Sequence, residues 1–315
     1  MIITMKKTFI ALLAIASVAA CNKAEVISVA EGDAIEFGDA FVDNATKADY
    51  STDDVEEINV YGTVNDVKIF DYATVEKKTA AYGAAWTCDV TQYWIEGAAY
   101  KFAALVDVAQ DDIEFDDYGM PESFYYEADG ETDVLYDYAE ATGAASGEND
   151  VVAFTFKHLL AKAYFTAIST TEDARYTYSI TNVKVTNTYP DGTYTVYTDT
   201  EDEVGSWEST SEPNYTIFDP IEGVVYLNED EEPLTNAELL LIPGASVGVS
   251  FSYTLYIDEN EVTTRTYTAE NVTTLAQNSV YNFKVSLSVN EPIQFTVTEK
   301  PEWNATTNKD LNVSI

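Results

Sequence analysis

The chain is poor in the residues that carry most catalytic and metal chemistry. Its 315 residues include two cysteines, one histidine and three methionines, and 16 Lys and Arg stand against 55 Asp and Glu. Two cysteines, Cys21 and Cys88, cannot build a disulfide framework, so stability has to come from an apolar core. A single histidine, His158, excludes an ordinary zinc site, which draws on several Cys or His ligands. Any Ser-His-Asp hydrolase would have to use that same His158, and no G-x-S-x-G nucleophile elbow is expected in the chain. It lies within an apolar run, where a packed, hydrogen-bonded histidine is the expectation. Cys88 could pair with it only if the fold brought them together, and nothing in the sequence does. Acid runs at 111–117 and 229–232 lack the D-x-[DN]-x-[DN]-G spacing of a calcium loop and read as solvated loops. No cofactor, no metal and no enzymatic activity are expected.

Positive charge is the other shortage. The formal net charge is −39. A surface this acidic repels nucleic acid and anionic lipid headgroups, so both are poor partners, whereas cations and basic partners are favoured. Strong charge with little apolar content would imply disorder. Here 46% of residues are hydrophobic, and 23 Tyr, 14 Phe and 4 Trp argue for a folded chain able to bury one or two cores.

What is present begins with a leader. Lys6 and Lys7 form a positive segment, residues 8–18 are apolar, and Val18-Ala19-Ala20 places small residues before Cys21. A dozen residues in helix rise about 18 Å, short of the roughly 30 Å hydrocarbon core, so residues 1–20 read as a signal peptide and not a membrane span. Small residues followed by Cys resemble a bacterial lipobox, in which the cysteine thiol is acylated. Cys21 is therefore the expected lipidation site and the tether to the outer membrane.

Beyond the leader the chain reads as strands. Val247, Val249, Phe251, Tyr253, Leu255 and Ile257 alternate with small polar residues, and Tyr281, Phe283, Val285, Leu287 and Val289 do the same. Tyr176, Tyr178 and Ile180 run into Val183 and Val185 with a one-residue slip at Thr181-Asn182, which predicts a bulge. Turn signals fall at Asp129-Gly130, Pro190-Asp191-Gly192, Asp219-Pro220, Pro243-Gly244 and Asp258-Glu259-Asn260. The fold class is all-β, antiparallel sheets packed as sandwiches. Residues 135–145 are alanine-rich and predict a helical turn or loop. The small, polar stretch 142–149 precedes an apolar run over 151–168 and marks a division into 48–149 and 150–315. Tyr118, Phe124, Tyr125 and Tyr126 leave two readings open, a carbohydrate platform or packing residues.

Phe154-Thr155-Phe156-Lys157-His158-Leu159-Leu160-Ala161-Lys162 resembles the F-x-H-x-L-A-K strand of fimbrillin-family lipoproteins of Bacteroidales. Asp133-Val134-Leu135-Tyr136 is similar to that family's D-L-L-Y segment, Leu240-Leu241-Ile242-Pro243 to its L-L-I-P strand end, and Tyr281-Asn282-Phe283-Lys284-Val285 to its penultimate strand. Their order, with the lipobox, spans nearly the whole chain.

The resemblance implies two transthyretin-like β-sandwich domains in tandem, and a structural subunit of a surface fimbria with a role in adhesion. It also implies assembly by donor-strand exchange. A protease removes an N-terminal segment, here 21–47, by cutting between Lys47 and Ala48. The cut displaces the first strand, which carries Ile35 and Phe37 on one face. The emptied groove takes the C-terminal strand of another subunit, here the tail at about 303–315, with Leu311, Val313 and Ile315 alternating. The implied partners are other copies or related subunits, the outer membrane through the lipid on Cys21, and host or bacterial surface receptors. The alternative is a non-polymerising surface lipoprotein that binds glycan or protein ligands through its loops.

Overall fold

The computed structural model describes residues 33–42, 55–80, 83–197, 205–213, 215–218, 224–230, 232–234, 239–300 and 309–311. The expected leader, Cys21, Lys47, Ala48, Val313 and Ile315 lie outside them. In chain order the strands are β1 (Phe37–Val42), β2 (Glu57–Val64), β3 (Val67–Ala80), β4 (Gly83–Cys88), β5 (Ala99–Val106), β6 (Ile113–Phe115), β7 (Pro121–Glu127), β8 (Leu135–Thr142) and β9 (Val152–His158). Then come β10 (Ala161–Ser169), β11 (Tyr176–Thr188), β12 (Asp191–Val196), β13 (Gly205–Glu208), β14 (Tyr215–Phe218), β15 (Val225–Leu227), β16 (Glu232–Pro233) and β17 (Leu239–Leu241). The last are β18 (Ser246–Ile257), β19 (Asn260–Thr274), β20 (Val280–Leu287), β21 (Gln294–Lys300) and β22 (Lys309–Leu311). Among the described residues the helical content is one 3-10 turn, Gln110–Asp112.

The strands form four sheets. A seven-stranded sheet runs β1-β9-β8-β5-β2-β3-β4, and a four-stranded sheet runs β13-β12-β7-β6. The other two run β16-β10-β20-β21-β22, with β17 also on β10, and β14-β11-β18-β19, with β15 also on β11. Pairing is antiparallel except for β1 with β9 and β10 with β20, which are parallel. Alternation of apolar residues gives a strand its faces but not its neighbours, so these two pairs have no signature in sequence.

The seven-stranded sheet buries both faces. Along β5, Phe102, Ala104 and Val106 enter one core while Ala103 and Leu105 enter the other. The same split separates Val60 from Tyr61 and Leu135 from Tyr136. This is why β5 lacks a clean polar face. The first core is filled by the sheet's own side chains together with Ile35, Val55, Trp94 and Ala98. Among the described residues no second sheet supplies it: the sheet curls so that edge strand β1 approaches β4 at the opposite edge. The other face packs under the four-stranded sheet through Ile113, Phe124, Tyr194 and Val196, and that core continues into the last two sheets through Phe165, Val249, Phe251 and Phe283.

The two halves of the chain are stitched together. Strand β12, from the second half, pairs with β7 from the first, with Gly192 opposite Tyr126 and Tyr194 opposite Phe124. The Trp207 indole donates to the Leu159 carbonyl at 2.6 Å. Strands β8 and β9, on either side of the expected division at 149/150, belong to one sheet and pair at Leu135–His158 and Tyr136–Lys157. The apolar run 151–168 breaks at Leu159 and Leu160, both fully buried, and its two parts enter different sheets.

Other expectations meet the structure unevenly. The alanine-rich stretch expected as a helical turn or loop is strand β8 over most of its length, because pairing along β5 outweighs the helix propensity of alanine. The slip at Thr181-Asn182 is a bulge: register against β18 shifts between Thr181 and Lys184, and Asn182 adopts φ 54°. Asp258 and Glu259, at φ 48° and 65°, make the expected two-residue hairpin turn, and Asn65-Asp66 makes another. Phe124 and Tyr126 are buried packing residues, whereas Tyr118 and Tyr125 are exposed.

Strands β8 and β9 pair at one end and then splay, leaving a cleft of about 350 Å³ between residues 139–142 and 150–153. Asp137 sits at the fork, and its carboxylate accepts the Thr155 backbone N–H at 2.7 Å. Burial pushes its pKa up to about 6, against the opposing pull of the Thr155 hydrogen bond. The folded protein therefore holds a proton that the unfolded chain releases above about 4, so this site loses stability as pH rises through 6. Asp137→Asn keeps an acceptor for Thr155 without the buried charge. It should raise stability at pH 7 by about 1–2 kcal/mol after allowance for solvent screening. Urea unfolding at pH 7 and pH 4 checks this, and the gain should vanish at the lower pH.

Candidate functional site

The residues on which an assembly role would depend are gathered around β1. Upstream of it, Ala34 bridges Tyr93 in antiparallel sense. The Ile35 N–H donates to the Gln92 carbonyl at 2.8 Å, and the Trp94 N–H donates to the Asp33 carbonyl at 2.9 Å. On the other side, Val152 N–H donates to the Glu36 carbonyl at 2.9 Å, after which β1 runs parallel to β9 from Phe37–Val152 to Val42–Phe156. Register shifts between Phe37 and Ala40. Gly38 stands in that irregularity, and a Cβ there would lie 2.7 Å from the Val151 side chain. Close approach to β9, and not an unusual φ, is what favours glycine.

Ile35 and Phe37 are both buried, as the alternation predicts. The Phe37 ring meets Phe70 at 5.4 Å and Phe102 at 5.9 Å edge-on, and lies stacked on Phe154 at 6.0 Å. These three rings come from β3, β5 and β9, so one side chain of the first strand ties together distant strands of the curled sheet. Such aromatic contacts each add about 0.5–1.5 kcal/mol beyond area burial. Asp33 anchors the entry to the strand. Its carboxylate accepts the Gly147 backbone N–H, the Ser146 hydroxyl at 3.1 Å and the Asn149 amide at 3.1 Å. These bonds, the Gly147 N–H foremost, hold its pKa below the usual carboxylate value. The small, polar stretch read as a division is thus the cradle for Asp33. Nothing in its composition signals that partner, which lies over a hundred residues away.

At the other end of the chain, β22 lies antiparallel on β21, with Leu311 opposite Val297, Asp310 opposite Thr298 and Lys309 opposite Glu299. It is an edge strand of its own sheet. Leu311 is therefore placed on backbone pairing, and the structure does not bring it to the β1 groove.

Catalytic candidates find no constellation. His158 is fully buried with Nδ1 2.6 Å from Asp133 Oδ2, and Leu159 N–H donates to the Val134 carbonyl at 3.1 Å. The pair pins the start of β8 to the end of β9, joining the Asp133-Val134-Leu135-Tyr136 segment to the strand that carries His158. Gly244-Ala245-Ser246-Val247-Gly248 does match G-x-S-x-G, contrary to expectation. Ser246 opens β18, pairs with Thr274, and its carbonyl accepts the Asn187 amide at 2.6 Å. An elbow requires a strand, a sharp turn and a helix, and here a strand follows. Burial raises the pKa of the Cys88 thiol, which opposes thiolate chemistry. Among the described residues no cluster of three or more His, Cys, Asp or Glu could hold a metal ion, and no helix is long and apolar enough to cross a membrane.

Phe37→Ala should cost about 3–5 kcal/mol, because it leaves a cavity among Phe70, Phe102 and Phe154 that β1 alone fills. Denaturant unfolding measures the loss. Hydrogen exchange should show it first in β1 and along the facing edge of β9.

Comparison with known proteins adds to this geometry. A family model described as fimbrillin-like matches residues 44–301. None of the curated proteins searched matches the sequence. Among solved structures, a candidate cell adhesion protein of Bacteroides uniformis is 17% identical, with 86% of this chain and 97% of that one covered at a TM-score of 0.54. A fimbrial protein of Bacteroides vulgatus is 13% identical over 78% and 92% of the two chains, TM-score 0.51. A candidate cell adhesion protein of Parabacteroides distasonis is 9% identical over 87% and 97%, TM-score 0.51. At such identities the likeness is one of fold.

Proposed function

The chain belongs to the fimbrillin-like family, and from that premise we propose that it is a structural, non-enzymatic subunit of a cell-surface fimbria with a role in adhesion. In this reading it is exported as a lipoprotein through Cys21, matured by cleavage between Lys47 and Ala48, and polymerised by donor-strand exchange with copies of itself or related subunits.

The observation that carries the reading is the position of β1. It is an edge strand, it supplies the buried Phe37 while the buried Ile35 lies just upstream, and it precedes β2 by a connection that contains Lys47. A cut there leaves β1 held only by non-covalent contacts, since its covalent link to the groove is gone. Loss of that link removes the high effective concentration of an intramolecular strand, and exchange with an incoming strand becomes feasible. An extended donor repairs both defects that departure of β1 creates, an unpaired β9 edge and an uncovered aromatic floor. Each large side chain it buries contributes about 1.5–3 kcal/mol.

The pairing of β22 with β21 supports a second reading, a surface lipoprotein whose tail stays on its own sheet and which does not polymerise. The two readings differ in what limited proteolysis does. In the first, lysine-specific cleavage of purified precursor yields fibres by electron microscopy and a mature N-terminus at Ala48. Lys47→Ala should leave a folded, unpolymerised precursor with stability changed by no more than about 0.5 kcal/mol, since Lys47 is not among the described residues that fill the two cores. Fibres of normal length from that variant would refute cleavage at Lys47 as the trigger.

The tail provides an independent check. Removal of residues 303–315 should spare both buried cores, so circular dichroism and the urea midpoint of the monomer should stay close to wild type. Fibre formation should stop. Wild-type fibres from the truncated chain would assign the donor to another strand.

A further inference from the structure

The cleft between β8 and β9 is bounded by two strand edges that face each other. The Ala99 N–H and carbonyl both turn toward β2, meeting the Asn65 side chain at 3.0 Å and the Asn65 N–H at 2.8 Å. Alternate residues of β5 therefore face β8, so Tyr100 and Phe102 exchange bonds with Ala141 and Ala139. That leaves the backbone groups of Glu140 and Thr142, and the Tyr138 carbonyl, pointing into the cleft. Across it, the Val152 N–H turns to Glu36 on the β1 side and the Thr155 N–H to Asp137 on the β8 side. By the same alternation the groups of Val151 and Ala153 face the cleft. Ladder pairing of β8 with β9 stops at Tyr136–Lys157.

The floor of the cleft is apolar. Trp94, Phe102, Ala139, Ala141 and Val152 line it, and the two alanines leave room for side chains from above. From Tyr138 to Thr142 the opening is five residues long, about 13 Å of extended chain. Its chemistry is that of a site for strand addition: free backbone groups on both walls and apolar surface beneath.

The chain itself arrives at this opening. Asp33 is the first described residue, and its carbonyl accepts the Trp94 N–H while its carboxylate accepts the Asn149 amide. Trp94 and Asn149 both line the cleft, so the residues before Asp33 start from its end. Those residues lie outside the described part and read Glu25-Val26-Ile27-Ser28-Val29-Ala30-Glu31-Gly32. Val26 to Ala30 are apolar or small and bracketed by two acids, and their number matches the opening. Three of them are β-branched, which favours a strand. Alternation would give Ile27 and Val29 one face and Val26, Ser28 and Ala30 the other. Residues 43–54, the other undescribed stretch beside β1, are polar and acidic and offer no such face.

We infer that residues 26–30 fill this cleft as a strand parallel to β8 and antiparallel to β9, with Ile27 and Val29 on the Trp94–Phe102 floor. The occupancy depends on neither cleavage nor polymerisation. Taken with the function proposed above, it ties the lipid-bearing end to the sheet, since Cys21 would stand within about 18 Å of Val26. The segment 21–47 would then cover both edges of β9, one through residues 26–30 and the other through β1.

The test uses uncleaved protein of residues 22–315, which keeps every described residue. By hydrogen exchange, the Glu140, Thr142 and Ala153 amides should be protected, and Ile27→Asp with Val29→Asp should speed their exchange about a hundredfold. Amides in β2 and β5 should not change, which shows that the variant is folded. Rapid exchange of the three amides in the parent protein overturns the inference, as does protection that survives the double substitution. A cross-link gives a second readout that needs no destabilised variant. Filling the opening sets Ser28 beside Ala153, at the Cα separation of about 4.5–5.5 Å that a disulfide accepts. Ser28→Cys with Ala153→Cys, in a Cys88→Ala background, should oxidise to a cross-linked monomer. No cross-link overturns the inference, and a cross-linked dimer in its place assigns the cleft to a second copy. Fibre formation after lysine-specific cleavage of the parent protein is scored separately, so failure of this inference and failure of the assembly reading are distinguishable.

Discussion

The seven-stranded sheet has apolar residues on both faces, and burial of both is the constraint from which the remaining architecture follows. Phe102 and Leu105 on one strand cannot share a single core. A sheet with two apolar faces is stable only if each is covered. One face is covered by the four-stranded sheet, half of which, β12 and β13, comes from residues beyond the β9–β10 junction. The other is covered by curling, and curling works only if β1 fills the remaining slot. Both coverings reach across long stretches of sequence, so the fold is dominated by non-local contacts.

On the proposed assembly, this arrangement would suit β1 to exchange. Parallel pairing with β9 follows from direction alone, since any extended segment with large apolar residues at alternate positions and the same polarity would satisfy it. Phe37 meets three rings, all of which belong to the groove and would stay behind if the strand left. Asp33 adds a polar anchor at the entry, screened by solvent and tied to a flanking loop. The strand is thus held by a few strong contacts near its start, while the buried His158–Asp133 pair lies just beyond the far end of its pairing with β9. The acidic surface acts against close approach of subunits at low salt, and charge screening over about 8 Å at physiological ionic strength relaxes it.

The sequence by itself determined the all-β class, the burial of Ile35 and Phe37, the bulge at Thr181-Asn182, the hairpin turn at Asp258-Glu259 and the packed role of His158. Each of these is local: side-chain alternation, a phase slip or a turn residue is written in neighbouring positions. Tertiary structure decided the rest. Residues 135–142 became a strand because β5 offers a pairing edge, and residues 152–158 joined the first sheet because the parallel β1 and the antiparallel β8 flank them there. Of four neighbouring aromatics, Phe124 and Tyr126 turned inward and Tyr118 and Tyr125 outward, which follows from which face the four-stranded sheet lays on its neighbour. The partners of Asp33 and Asp137 were equally hidden. Alternation along a strand assigns faces, but only the pairing of strands far apart in sequence decides what each face, and each edge, will meet.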